Sequence, residues 1–169
     1  YHGYTADDHA SRCASVRARS AAAGQRTPEE EDFLRIYAKV PDKALLNLAI
    51  LLHDIGKGKG HGHSRIGAES VGRIGRRWGL SEEEISDLVF LVEQHLLMAH
   101  VSQRRDLHDI EMILSFAETV RNPSRLDQLY LLTYADMKEV GPEVWTQWKA
   151  MLLNELYEKG RNVLEQGKL

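Results

Sequence analysis

The chain has 169 residues, of which 43% are hydrophobic and 28% charged, with a formal net charge of -3 at pH 7. This composition indicates a soluble globular domain and excludes both a disordered chain and a strongly basic nucleic-acid-binding protein. Cys13 is the only cysteine, so intramolecular disulfides and thiolate zinc sites are excluded. No apolar run is long enough to span a membrane and no signal peptide is visible, so we expect a cytoplasmic protein.

The first half of the chain carries helix signals in regular succession. Thr5-Ala6-Asp7-Asp8 predicts the start of a helix that runs to about Gly24. Thr27-Pro28-Glu29-Glu30 predicts a second start, with proline at the first helical position, and Val40-Pro41 predicts its end. A third helix is expected from Asp42, through an apolar run, to the pair His53-Asp54 and Gly56.

The second half continues in the same way, and no strand pattern of useful length appears. We expect helices from about Ser64 to Trp78 with Gly79 as C-cap, from Ser81 toward His95, and over about 109–120 and 124–138. The last helix is predicted from Pro142 to near the C-terminus, with one apolar stripe: Trp145, Trp148, Leu152, Leu156 and Leu164. The sequence therefore predicts an all-α bundle, and we expect residues 1–169 to be one domain of a longer protein.

Histidines and aspartates fall at the ends of several predicted helices. His53 and Asp54 stand together at one end, where imidazole and carboxylate suit a divalent metal ion. If the helix ends converge, six donors form one pocket: His9, His53, Asp54, His63, His95 and Asp136. Two ions roughly 3.5–4 Å apart suit phosphoryl transfer, because they stabilise both the attacking and the leaving oxygen. The pattern favours a hydrolytic two-metal site.

These residues resemble a known family. The ordered set His9, His53-Asp54 and Asp136 resembles the HD-domain metal-dependent phosphohydrolases, and His63 with His95 resembles the extended set of their two-metal members. Further segments resemble the HD domains of the bacterial bifunctional PII uridylyltransferase/uridylyl-removing enzymes. They are 2–9, 52–60, 63–68, 94–98, Gln103-Arg104-Arg105-Asp106, 145–149 and 152–157.

The resemblance implies a role in bacterial nitrogen regulation, in which the HD domain removes UMP from the modified tyrosine of the PII protein. It implies two divalent ions, Mn²⁺ or Mg²⁺ with Fe or Zn as alternatives. In such enzymes a nucleotidyltransferase domain adds the nucleotide and ACT domains sense glutamine, and neither is recognisable in this sequence. We therefore expect removal of nucleotide only, with uridylylated PII as the partner and neither nucleic acid nor membrane as a ligand.

The resemblance implies a role for Asp54, and side-chain chemistry suggests roles for Lys57 and the arginines. Asp54 is expected to bridge the ions and orient the attacking hydroxide, while Lys57 stabilises charge on the phosphoryl oxygens. Arg104 and Arg105 are expected to bind phosphate or the modified partner, since the planar guanidinium fork matches phosphate oxygens. The chain departs from the family at Gly62, often acidic elsewhere, and His61 and His100 have no assigned role.

Alternative functions are a nucleotidase or alarmone hydrolase that acts on free nucleotides, an adenylyl-removing variant of the same enzyme, and a helical regulatory module without activity. The complete His/Asp set argues against the regulatory module. The sequence does not identify the base that is removed.

Overall fold

The computed structural model describes residues 27–55, 63–139 and 145–166. Within these ranges the chain forms helices and no strands, which confirms the all-α prediction. The helices are α1 Pro28–Lys39, α2 Lys43–Leu52, α3 His63–Arg77, α4 Glu82–Glu93, α5 Leu97–Arg104, α6 Ile110–Val120, α7 Pro123–Glu139 and α8 Gln147–Gln166. None of these described helices is long and apolar enough to cross a membrane. The helix predicted for about 5–24 lies outside the described residues.

The chain divides into two compact units, residues 1–95 and 96–169. The first contains α1–α4, with α2 and α3 packed against α4. Its buried apolar side chains include Ile36, Leu46, Ala49, Val71, Leu88, Leu91 and Val92. The prediction that residues 1–169 form one domain of a longer protein stays a prediction.

Capping residues define the starts of α1, α2 and α4. The Thr27 hydroxyl accepts from the Glu30 backbone N–H, and the Glu30 carboxylate accepts from the Thr27 N–H, both at 3.3 Å. This capping box satisfies two N–H groups that the helix leaves unpaired. Ser81 and Glu84 repeat it at the start of α4, and Asp42 caps α2 by accepting from the Leu45 N–H at 2.9 Å. All three starts confirm the sequence prediction.

The end of α3 is also as predicted. Gly79 follows the helix with φ +75°, a conformation that costs a glycine little because it has no Cβ. The Leu80 N–H donates to the Gly75 carbonyl at 3.1 Å, which closes the helix end.

In the second unit α8 is the central helix, and α5, α6 and α7 all pack against it. Its buried residues are Ala150, Leu153, Leu156, Tyr157 and Gly160. Gly160 is needed for close packing, because a Cβ at this position would lie 2.8 Å from Cε1 of Phe116 on α6.

Two sequence predictions in this unit need correction. The last helix begins at Gln147, so Trp145 precedes it, and Trp148 is 66% exposed instead of lying on the apolar stripe. Trp145 packs edge-on against Tyr134 of α7, with ring centroids 4.7 Å apart. Helix α5 was not predicted, because it has only eight residues and its N-cap, Leu96, makes no side-chain hydrogen bond.

A buried polar cluster joins α7 to α8. Asp127 Oδ1 accepts from the Tyr157 hydroxyl at 2.8 Å and from Arg161 Nη1 at 2.6 Å. Burial, followed by the neighbouring Asp127 carboxylate, raises the pKa of Tyr157 well above its usual 10.0. The cluster pairs the Asp127 charge inside the unit and fixes two helices to each other.

Candidate metal centre

His53 is buried at the end of α2, with 2% of its surface exposed. Its Nδ1 lies 2.7 Å from the carbonyl oxygen of Ile50, three residues earlier. A carbonyl oxygen only accepts hydrogen bonds, so Nδ1 carries the proton and donates. In the neutral ring the lone pair is then on Nε2, the protonation state that a metal-binding histidine requires.

His95 repeats this arrangement at the end of α4. It is also 2% exposed, and its Nδ1 lies 2.7 Å from the carbonyl oxygen of Val92, again three residues earlier. The same reasoning assigns the proton to Nδ1 and the lone pair to Nε2. The two buried histidines of the first unit thus make equivalent hydrogen bonds through Nδ1.

The two rings meet each other. Their centroids are 5.2 Å apart and their planes cross at 65°, an edge-to-face contact. The packing of α2 against α4 produces this contact, because each ring follows the last turn of one of these helices. The predicted convergence of His53 and His95 is therefore present.

Asp54 adds a carboxylate beside the pair. Its Oδ2 lies 3.7 Å from His53 Nε2, and its side chain is 36% exposed. Two donors that share one ion at about 2.1 Å each are about 3–4 Å apart, so this separation fits joint coordination. A half-exposed carboxylate next to buried imidazoles also leaves one side of the group accessible to water.

The other predicted residues of the first unit lie wholly or partly outside the described residues. His9, Lys57 and His61 fall there, and His63 is described only as the first residue of α3, without its side chain. Asp136 lies on α7 of the second unit and is half-buried. Among the described residues, no group of three or more His, Cys, Asp and Glu side chains is arranged to hold a metal ion. The six-residue site therefore stays a prediction.

Arg104 and Arg105 end α5 in the second unit, and both side chains are exposed. They line a groove of about 530 Å³ between α5 and α6. His100 is also exposed on α5. Both arginine side chains are thus accessible, and their role in substrate binding stays a prediction.

The donors present suit a divalent metal ion. Two imidazoles and a carboxylate offer nitrogen and oxygen ligands to such an ion, and the carbonyls of Ile50 and Val92 orient the rings through their Nδ1 atoms. Sequence reasoning missed these two carbonyls. A histidine one or two residues after the last helical residue is the signal that would have found them.

Comparison with known proteins agrees with this chemistry. The family model described as HD domain matches residues 20–129. Over 99% of its length the chain is similar to curated proteins named bifunctional uridylyltransferase/uridylyl-removing enzyme. Identity is 43% with the protein of Rhodospirillum rubrum, 40% with that of Haemophilus influenzae strain PittEE and 40% with that of Zymomonas mobilis. The chain spans only 18–19% of the length of these relatives.

Proposed function

Because the chain belongs to the HD domain family, whose members are metal-dependent phosphohydrolases, we propose that it hydrolyses the phosphodiester between UMP and the modified tyrosine of the PII protein. The products are UMP and unmodified PII. The observation that carries the proposal is the buried His53–His95 pair, with both Nδ1 atoms hydrogen-bonded to carbonyls and the two rings in edge-to-face contact. Such preset imidazoles suit a hydrolytic metal centre better than a structural one, which would normally contain thiolates.

The proposed metal ligands are His9, His53, Asp54, His63, His95 and Asp136, for two ions that are Mn²⁺ or Mg²⁺, with Fe or Zn as alternatives. When bound, the ions supply a Lewis acid and lower the pKa of water at the phosphorus. The remaining contributions belong to the chain itself.

We propose that Asp54 orients the attacking water, a role supported by its half-exposed carboxylate beside the buried His53 ring. Lys57 is proposed to offset charge on the phosphoryl oxygens. The leaving group is a tyrosine phenolate, whose conjugate acid has a pKa of about 10, so it departs without strong acid assistance. No separate general acid is therefore required.

The test is UMP release from uridylylated PII, with and without added Mn²⁺, by the wild-type chain and by the His53→Ala and Asp54→Ala variants. We expect metal-dependent release by the wild type and a loss of at least about a hundredfold in each variant. Adenylylated PII and free nucleotides serve as alternative substrates. Full activity in both variants, or faster turnover of free nucleotides than of modified PII, contradicts the proposal.

A further inference from the structure

The groove between α5 and α6 has an apolar floor. Leu97 and Val101 contribute to it from α5, and Met112 and Phe116 from α6. Leu97 and Met112 are half-buried and therefore remain accessible from the groove. The side chain of Ile110, at the first position of α6, is 74% exposed. Apolar groups on a groove of this size favour a ligand with an apolar side chain of its own.

The rim of the groove carries two arginines and two aspartates with different local partners. Asp106 Oδ1 accepts from the His108 backbone N–H at 2.9 Å. Asp109 Oδ1 accepts from the Glu111 and Met112 N–H groups, as the N-cap of α6. Both carboxylates are thus used by the local backbone.

Arg104 and Arg105, by contrast, are not paired with a charged group of the groove. Within the described part of the chain, neither guanidinium forms an ion pair, and both side chains are exposed. Each guanidinium can bind a carboxylate by donating two parallel hydrogen bonds to its oxygens. A carboxylate on the ligand would therefore complement the charge of these two guanidinium groups.

The apolar floor favours a polypeptide over a free phosphate. The two guanidinium groups can pair with either ligand, but a phosphate would leave the apolar side chains of the groove uncovered. A peptide segment with a bulky apolar residue beside an acidic one matches both the floor and the arginines.

We propose that this groove is a docking surface for the protein part of the substrate, and that it takes a segment with an apolar side chain on the Leu97–Met112 floor and a carboxylate against Arg104 and Arg105. The inference rests on the proposed function, since the substrate there is a modified protein. In this proposal the two arginines bind the polypeptide part of the substrate, and other residues bind the nucleotide. Met112 suits such a surface, because its flexible side chain adapts to the bound residue.

The experiment compares two substrates that share the reacting phosphodiester. One is uridylylated PII, and the other is the 4-nitrophenyl ester of UMP, which has the nucleotide and an aryl leaving group without any polypeptide. The variants are Met112→Glu, which places a charge on the floor, and the double variant Arg104→Ala/Arg105→Ala. Arg77→Ala, an exposed arginine in the last turn of α3, is the matched control.

We expect both groove variants to lower the ratio of kcat/KM for the protein to kcat/KM for the small ester by at least about tenfold, mainly through KM for the protein. The control should leave the ratio unchanged. Equal losses on both substrates would assign the arginines to the nucleotide and overturn the proposal, as would an unchanged ratio in both variants. If Met112→Glu perturbs folding, the Arg104→Ala/Arg105→Ala variant still tests the proposal, because both of its substitutions are at exposed side chains.

Binding of uridylylated PII is measured separately by calorimetry, with EDTA present to prevent turnover. The groove variants should again lose at least about tenfold in affinity. A wild-type chain that binds the protein through the groove but releases no UMP contradicts the proposed function and supports the docking surface. Binding that is unaffected by either variant overturns the docking surface alone.

Discussion

His53 and His95 make the same hydrogen bond in the same local setting, each ring donating from Nδ1 to the carbonyl three residues earlier at 2.7 Å. Each ring therefore has one nitrogen with a structural role and one with a lone pair. Substitutions can separate the two roles, because asparagine places an amide nitrogen close to Nδ1 and has no counterpart of Nε2.

We expect His95→Asn to lower the affinity for Mn²⁺ by at least about tenfold while the fold is retained, because the donor to Val92 is replaced and the metal-binding nitrogen is lost. Isothermal calorimetry measures the affinity, and urea unfolding of the metal-free protein measures the fold. His100→Asn, at an exposed histidine, is the control and should bind as the wild type does. Unchanged affinity in His95→Asn would remove this residue from the metal site.

Tyr157→Phe removes a hydroxyl that hydrogen-bonds to both Asp127 and Arg161. We expect it to lower the free energy of unfolding by about 1–2 kcal/mol at pH 8, because a buried carboxylate loses one of its donors. The measurement is urea unfolding followed by circular dichroism.

The same variant has a defined pH dependence. The pKa of Tyr157 is raised in the folded state, by burial first and by Asp127 second, so above pH 10 the unfolded chain releases a proton that the folded chain retains. The stabilisation is complete below pH 10 and falls as the pH rises beyond it. The difference between wild type and Tyr157→Phe should therefore shrink between pH 10 and 11, and a constant difference would contradict the raised pKa.

Gly160→Ala should destabilise the second unit. The added Cβ would lie 2.8 Å from Cε1 of Phe116, a buried ring, and we expect a loss of about 1–2 kcal/mol in spite of the better helix propensity of alanine. Gly72→Ala is the control, since its Cβ would make an ordinary 3.5 Å contact with Val89. That variant should be neutral or more stable by up to about 1 kcal/mol. Equal effects of both variants would contradict the packing argument.

Arg121 has φ +75° at the end of α6, a backbone conformation that strains a residue with a Cβ. Replacement by glycine should raise the free energy of unfolding by about 1 kcal/mol. Arg121→Ala loses the same side chain but keeps the strain, so its stability should stay near that of the wild type. A thermal unfolding comparison of the two variants isolates the backbone contribution.

The helix boundaries that the sequence predicts well are those set by local chemistry. Thr27, Asp42 and Ser81 cap their helices through side-chain oxygens within three residues, so a short window of sequence contains the whole interaction. Helix α5 has no such cap, and its formation depends on packing against α7 and α8, which a local pattern does not reveal.

For the site, the residue types were predictable and their contacts were not. His53 and His95 fall at the ends of predicted helices, which made both of them candidate metal ligands. The contact between their rings depends on how α2 meets α4, and the Asp127–Tyr157 bond spans 30 residues between two helices. Contacts between helices of this kind cannot be predicted from the periodicity or spacing of residues in the sequence.

The positions at which α2 and α4 end determine how the site responds to substitutions near it. In a continuing α-helix the Ile50 carbonyl would accept from the N–H of residue 54, and the Val92 carbonyl from that of residue 96. Here each carbonyl accepts from an imidazole instead. The end of each helix and the position of the proton on each ring therefore depend on the same carbonyl oxygen. Any substitution that extends either helix by a turn would compete for that oxygen and free the ring to adopt its other tautomer, even though neither histidine had been altered.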